Sequence, residues 1–127
     1  MTRERTGAAI VVLGPGGLET AQTLADELDG SEIHSFQPRV PGAVITFSDM
    51  GDHLRALFSA GTPIIGICSA GVLIRCLSPA LEAKESEPPV IAVAEDGSAV
   101  VPLLGGHHGA NDLSRRLATC LGISAAI

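Results

Sequence analysis

Short apolar runs rich in β-branched residues alternate along this chain with stretches whose apolar residues recur every three or four positions. That alternation limits the possible folds more than any other feature. "AAIVVLG" (8–14) is unbroken and ends in Gly-Pro-Gly-Gly, the pattern of a strand buried on both faces of a parallel sheet. Leu18, Ala21, Leu24, Ala25 and Leu28 then share one helical face, with Gly30 as its stop. "SEIHSF" reads as a second strand, "QPRVPG" as a loop and "AVITFS" (43–48) as a third strand. Ser48 or Asp49 is placed to cap a helix whose apolar face is Met50, Leu54, Leu57 and Phe58, ending near Gly61. "PIIGIC" (63–68) is another buried strand, and "SAGVLIRCLSPAL" follows as a helix with Ser69 as cap and Pro79 near its far end.

The last third adds a different signal. "PVIAVAEDGSAVVPLL" holds two apolar runs joined by Glu-Asp-Gly-Ser, which predicts a hairpin. "ANDLSRRLATCLG" places Leu113, Leu117, Cys120 and Leu121 on one helical face with Gly122 as C-cap, and "ISAAI" reads as the start of one more strand. The expected architecture is α/β: an open, mostly parallel three-layer sheet with one β-hairpin, residues 1–127 forming a single domain. Ligands of such sheets bind beyond the carboxyl ends of the strands, which directs attention to the loops after residues 13, 48, 68 and 104.

Composition removes several function classes. The chain has 127 residues and is 46% hydrophobic, yet no apolar run nears the roughly 18 residues a membrane helix needs. "MTRERTGAAIVV" is too short and wrongly flanked for a signal peptide, so a cytoplasmic location is expected. A net charge of −6, three Phe and no Trp or Tyr leave neither a basic track nor a stacking platform for nucleic acid. Cys68, Cys76 and Cys120 form no CxxC pair; Cys68 and Cys120 fit small core positions. "LEAKESEPP" (81–89) is the one polar segment long enough for a mobile loop.

Three stretches carry chemistry. "GPGGLET" lacks the dinucleotide fingerprint, because Gly14 and Gly16 are followed by Glu19 where a third glycine belongs. A strand-to-helix turn requiring positive φ is the simpler reading. In "CSAGVLIR" (68–75), Ser69 stands between Cys68 and Ala70, outside the G-x-S-x-G pattern of a hydrolase elbow, and capping is its default role. Small residues there let a ligand approach free backbone N–H groups. Arg75, between Ile74 and Cys76, either reaches to solvent or holds a carboxylate with its planar fork. In "LLGGHHGANDLSRR", His107 and His108 are adjacent and so point apart, with no third ligand four residues on; no metal is assigned. A neutral imidazole in a glycine loop suits acid–base chemistry or hydrogen bonding to an anion, while Asn111 or Asp112 caps the final helix.

"CSAGVLIRCLSPALEAK" followed by "PPVIAVAEDGSAVVPLLGGHHGANDL" resembles the N-terminal domain of the cobalamin-biosynthesis CbiG family, densely over roughly residues 62–122. The matching run is G-[IV]-x-x-R-x-[LI]-x-P-x-[LI]-x-x-K, followed by a strand ending in L-L-x-G-H and a Gly-Ala-Asn helix start. The resemblance implies a precorrin or cobalt-precorrin substrate and opening of the ring-A lactone of cobalt-precorrin-5A with release of acetaldehyde. The positions it carries over are Gly71, Arg75, Pro79, Lys84, Pro88, Gly106, His107, Gly109 and Asn111. Arg75 and Lys84 would suit the substrate's carboxylates and His107 would act as catalytic acid or base. Ser69, Gly105 and His108 join Gly71, Arg75, Lys84, Gly106, Gly109 and Asn111 as substrate contacts. Two departures stand out: Glu87-Pro88 replaces the family's Asp-Pro, and Gly109-Ala110-Asn111 is shortened. The shortened form is similar to a version fused ahead of precorrin-3B C17-methyltransferase. The other reading is therefore a non-catalytic module that binds the tetrapyrrole or docks a partner enzyme. No cofactor is expected in this domain, and S-adenosylmethionine only in a fused methyltransferase. Other cobalamin-biosynthesis enzymes or a fused domain are the expected partners, and the apolar helices are compatible with a homodimer.

Overall fold

The computed structural model describes residues 7–36, 45–81, 87–106 and 109–127. Within them the chain runs β1 (Ala9–Val12), α1 (Leu18–Glu27), β2 (Glu32–Phe36), β3 (Ile45–Phe47), α2 (Met50–Ser59), β4 (Ile64–Ile67), α3 (Ala70–Leu77), β5 (Val90–Val93), β6 (Val100–Leu104) and α4 (Ala110–Leu121). The strands form one sheet in the order β3-β2-β1-β4-β5-β6. Every pairing is parallel except β5 with β6, which is the expected mostly parallel sheet with one hairpin.

β1 shows why the sheet needs helices on both sides. Ala8, Ile10 and Val12 point into one apolar layer, packed with Leu24 and Leu28 of the α1 segment and Leu117 of α4. Ala9 and Val11 point into the other, packed with Leu54 and Phe58 of α2 and Leu73 and Leu77 of α3. All five β1-side residues are at most 1% exposed. Each fully buried Ile, Val or Leu contributes about 1.5–3 kcal/mol, so neither layer can be removed without exposing the sheet. Gly66 of β4 lets α3 approach closely: a Cβ there would lie 2.8 Å from both Leu73 methyl carbons.

Several local expectations hold and several are corrected. Asp49 caps α2, its Oδ1 accepting the Asp52 N–H at 2.8 Å. Gly122 ends α4 at φ +75°. Ser69 occupies the α3 N-cap position, but its hydroxyl makes no capping bond. The α4 N-cap is Gly109 at φ +96°, not Asn111 or Asp112, which lie in the first turn. The Ala110 N–H donates to the Gly105 carbonyl at 3.1 Å, closing the loop one step before Asn111. Residues 123–127 form no strand. The Ile123 N–H turns back onto the Ala118 carbonyl, and a single bond from Ala126 N–H to Val100 O touches β6. "QPRVPG" (37–42) and residues 82–86 of the polar segment lie outside the described residues.

The Gly-Pro-Gly-Gly turn does not require positive φ: Gly14 is extended at −160° and Gly17 sits at −99°. Its glycines answer a steric demand instead. A Cβ on Gly17 would stand 2.7 Å from Ile67 Cγ2, and one on Gly16 would stand 3.0 Å from Glu95 Oε2.

Gly105 combines both constraints, with φ +78° and a hypothetical Cβ only 2.5 Å from the Pro88 carbonyl oxygen. Gly105→Ala is expected to destabilise the domain by roughly 3 kcal/mol. Gly61→Ala, at φ +77° with open space around it, is expected to cost about 1 kcal/mol. Urea unfolding followed by far-ultraviolet circular dichroism measures both, and equal effects would contradict the steric account.

Candidate functional site

The sheet order turns back between β1 and β4: from β1 the chain builds outward through β2 and β3, then returns to add β4 and β5 on the other side. At such a switch point the loops leaving the two central strands diverge and leave a crevice at their carboxyl ends. Here one wall is the Pro15–Gly17 turn after β1 and the other is Cys68–Ala70, leading into α3. Beside the second wall, toward the hairpin, a depression of about 300 Å³ is lined by Cys68, Ser69, Ala70, Ala94, Glu95 and Val101 among others. Small side chains at most of these positions keep it open.

Three groups give the depression chemical character. Ser69 is exposed and its hydroxyl is not engaged in capping; the Val72 N–H donates to the Ser69 carbonyl at 3.2 Å, and the Ala70 and Gly71 N–H groups at the start of α3 are left to an acceptor. Glu95 is anchored by its main chain, whose carbonyl accepts the Thr20 hydroxyl at 2.6 Å. Its carboxylate lies over Gly16. The Cys68 thiol is pushed up to about 11 by burial, with Cys76 and the Glu95 charge adding to the effect. It is therefore protonated at neutral pH and a poor nucleophile. One turn along α3, the exposed Arg75 guanidinium folds back over Gly71, where a Cβ would stand 3.1 Å from its Nη1. Gly71 thus makes room for a cation close to the helix start.

The other sequence-derived set lies elsewhere. β6 runs antiparallel to β5, and its last residue, Leu104, pairs with the first residue of β5, Val90. The loop from Gly105 therefore emerges at the amino ends of the parallel strands, against Pro88 and Pro89. The expectation that the loop after residue 104 joins the carboxyl-end loops is corrected by this reversal. Gly105 is buried, Gly106 and Gly109 are exposed, and the half-buried Asn111 lies under Gly106, its Nδ2 4.0 Å from a hypothetical Cβ there. The structure sets Arg75 over Gly71, with Ser69 at the N-cap of the same helix, and brings Gly105, Gly106, Gly109 and Asn111 together. About six residues of strand, on the order of 20 Å, separate the two sets. Lys84, His107 and His108 lie outside the described residues.

Glu95 was missed by sequence reasoning, which took Glu-Asp-Gly-Ser only as a turn. The available signal was position: the first residues of that turn follow a parallel strand and so stand at its carboxyl end. Among the described residues no group of three or more His, Cys, Asp or Glu is arranged to hold a metal ion, and no helix is long and apolar enough to cross a membrane. A second groove of about 100 Å³, between α3 and β6, is lined by apolar residues including Ile74, Leu81 and Leu103, and among the described residues its lining holds no polar side chain.

A raised Cys68 value has a direct consequence. At pH 8 its thiolate fraction is about 100-fold below that of an ordinary thiol. Maleimide labelling mapped by mass spectrometry should be at least 30-fold slower at Cys68 in the folded chain than in denaturant. Equal rates would contradict the burial assigned to it.

Comparison with known proteins supplies the family. The model of the cobalamin synthesis G N-terminal family, CbiG_N, matches residues 52–127. The chain is 35% identical over 120 residues to a cobalt-precorrin-5A hydrolase of Salmonella typhimurium, covering 94% of this chain and 34% of that protein. It is 29% identical over 125 residues to one of Priestia megaterium, covering 93% of this chain and 33% of that protein. The chain thus spans about a third of the length of the curated relatives it matches. In fold it is similar to the crystal structure of a cobalamin biosynthesis protein G homolog from Sulfolobus solfataricus, with a TM-score of 0.71 at 17% identity over 97% of this chain and 37% of that one. With residues 52–127 matched by the family model and 94% of its length aligned to the Salmonella relative, the chain belongs to the cobalamin synthesis G N-terminal family.

Proposed function

We propose that this chain serves corrinoid biosynthesis as the N-terminal part of a cobalt-precorrin-5A hydrolase, working in the cytoplasm on a carboxylate-rimmed tetrapyrrole. The single observation that carries this reading is 35% identity to a protein of that name across 94% of the chain. The reaction so assigned is opening of the ring-A lactone with release of acetaldehyde, without a cofactor of the domain's own.

The geometry supports a division of labour. Ser69, Gly71 and Arg75 form the first contact set: a planar guanidinium near a helix start, with free N–H groups beside it, suits a carboxylate on the rim of the macrocycle. Glu95 stands across the depression and would repel a second carboxylate, favouring one orientation of the ring. Gly105, Gly106, Gly109 and Asn111 form a second contact set, and His107, which falls between Gly106 and Gly109 in the sequence, is the proposed acid or base, with His108 and Lys84 as further contacts. At roughly 20 Å apart, the two sets would engage different parts of a bound molecule or successive bound forms, not one lactone.

Titration of the chain with cobalt-precorrin-5A, following corrinoid absorbance and acetaldehyde together, tests this reading. Binding with acetaldehyde release is the expected outcome. Binding alone would assign the domain a carrier or docking role, and absence of binding would overturn both. Arg75→Ala should weaken binding about tenfold to a hundredfold, the worth of a charge-assisted contact, with Arg75→Lys between the two. His107→Ala should lower turnover with little effect on affinity, and unchanged turnover would remove His107 from the chemistry.

A further inference from the structure

Away from both contact sets, two histidines meet inside the domain. His34 Nδ1, in the middle of β2, lies 2.8 Å from Nε2 of His53 in α2. The rings are 5.0 Å apart at 49°. His53 also stacks on Phe47 of β3 at 4.3 Å and 6°, and Phe47 meets Phe36 edge-on at 5.7 Å. His34 is only 5% exposed, whereas His53 is half-buried. This is a polar cross-link between the sheet and a helix otherwise held by the apolar contacts of Leu54 and Phe58.

We propose that His34 and His53 form an acid-sensitive clamp that fastens α2 to the β2–β3 side of the sheet and releases it when both imidazoles are protonated. An N···N contact of 2.8 Å needs one N–H and one lone pair. A neutral pair supplies these with suitable tautomers, and so does a pair carrying one proton too many. A doubly protonated pair offers two N–H groups aimed at each other across that gap, and the contact cannot persist.

The surroundings set where this happens. The parallel neighbours of His34 are Val11 of β1 and Ile45 of β3, so neither adjoining strand faces it with charge. Glu32 precedes it on β2, and α2 contributes Asp49, Asp52 and Arg55. The Arg55 guanidinium is engaged with Asp52 at 2.7 Å and the Cys76 carbonyl at 2.9 Å. Burial holds the His34 imidazole below the usual histidine range, His53 adds to this, and Glu32 opposes it. Burial lowers His53 as well. Both values are depressed on folding, so the unfolded chain takes up protons first, at about pH 6.5. Stability is full above that pH and falls as pH drops through it.

Release of α2 would loosen the helix whose Arg55 bonds the end of α3, and through α3 the rim that carries Ser69. The clamp itself does not depend on what that rim binds. The test is hydrogen exchange of the 127-residue chain at pH 7.5 and 4.5, with rates corrected for intrinsic pH dependence. Protection of residues 50–59 should fall at least tenfold more than that of α4. In His53→Gln, whose amide still bridges but does not titrate, the difference should shrink below threefold. Glu32, Asp49 and Asp52 are the same in both proteins and cancel in the comparison. Should His53→Gln fail to fold, nitrogen-15 imidazole titration of the wild type decides: two coupled steps, the second well below the first, support the clamp. Retained α2 protection at pH 4.5, equal loss in the variant, or independent titration near pH 6.5 would overturn it.

Discussion

The pairing of β1 with β4, both buried on two faces, is the constraint on which the rest of the domain depends. Ala9 to Val12 and Ile64 to Ile67 run parallel in register, and no side of either strand reaches water. Two apolar layers must therefore exist, and the helices supply them: α1 and α4 on one side, α2 and α3 on the other. The same pairing creates the switch point, because the chain leaves β1 in one direction and returns at β4 in the other. Packing and site location are two consequences of one arrangement. The glycines at this crossing serve it by their lack of volume: Gly17 clears Ile67, and Gly66 admits Leu73.

The β5–β6 hairpin has the opposite effect. In a fully parallel sheet the loop after β6 would rise beside Ser69. The reversal sends it to the far rim, where Gly105 fits only because it has no Cβ to strike the Pro88 carbonyl. Two loops that read as one site along the sequence are thus separated by the length of the sheet. The corrinoid ring proposed as substrate carries charged arms on several sides, which would give a physical reason for contact sets so far apart.

Most of the fold was legible because burial on two faces leaves a plain signature. The unbroken apolar runs at 8–14 and 63–68, the periodicity of Leu113, Leu117 and Leu121, and Asp-Gly between two apolar runs each matched an element. What escaped depended on tertiary contacts. Whether Gly14–Gly17 needed positive φ or empty space is decided by Ile67 and Glu95, distant in sequence. Which residue caps α4 is decided by a hydrogen bond from Ala110 to Gly105. "ISAAI" has strand composition, yet the Gly122 turn folds it back along α4 with one bond to β6. The candidate site was half legible: Arg75 lies over Gly71 on the helix that Ser69 begins, whereas Glu95 was concealed inside a turn. The His34–His53 contact left no trace in the sequence, since nothing local predicts that a strand and a helix 19 residues apart bring two imidazoles within 2.8 Å.

Under the proposed function, the carboxyl-end crevice is a place where the domain contacts a tetrapyrrole. Backbone amide chemical-shift mapping of the isotopically labelled chain, titrated with cobalt-precorrin-5A, tests it most directly. Shifts on residues 14–17, 68–71 and 94–95 are the expected result. Shifts confined to residues 105–111 would contradict it.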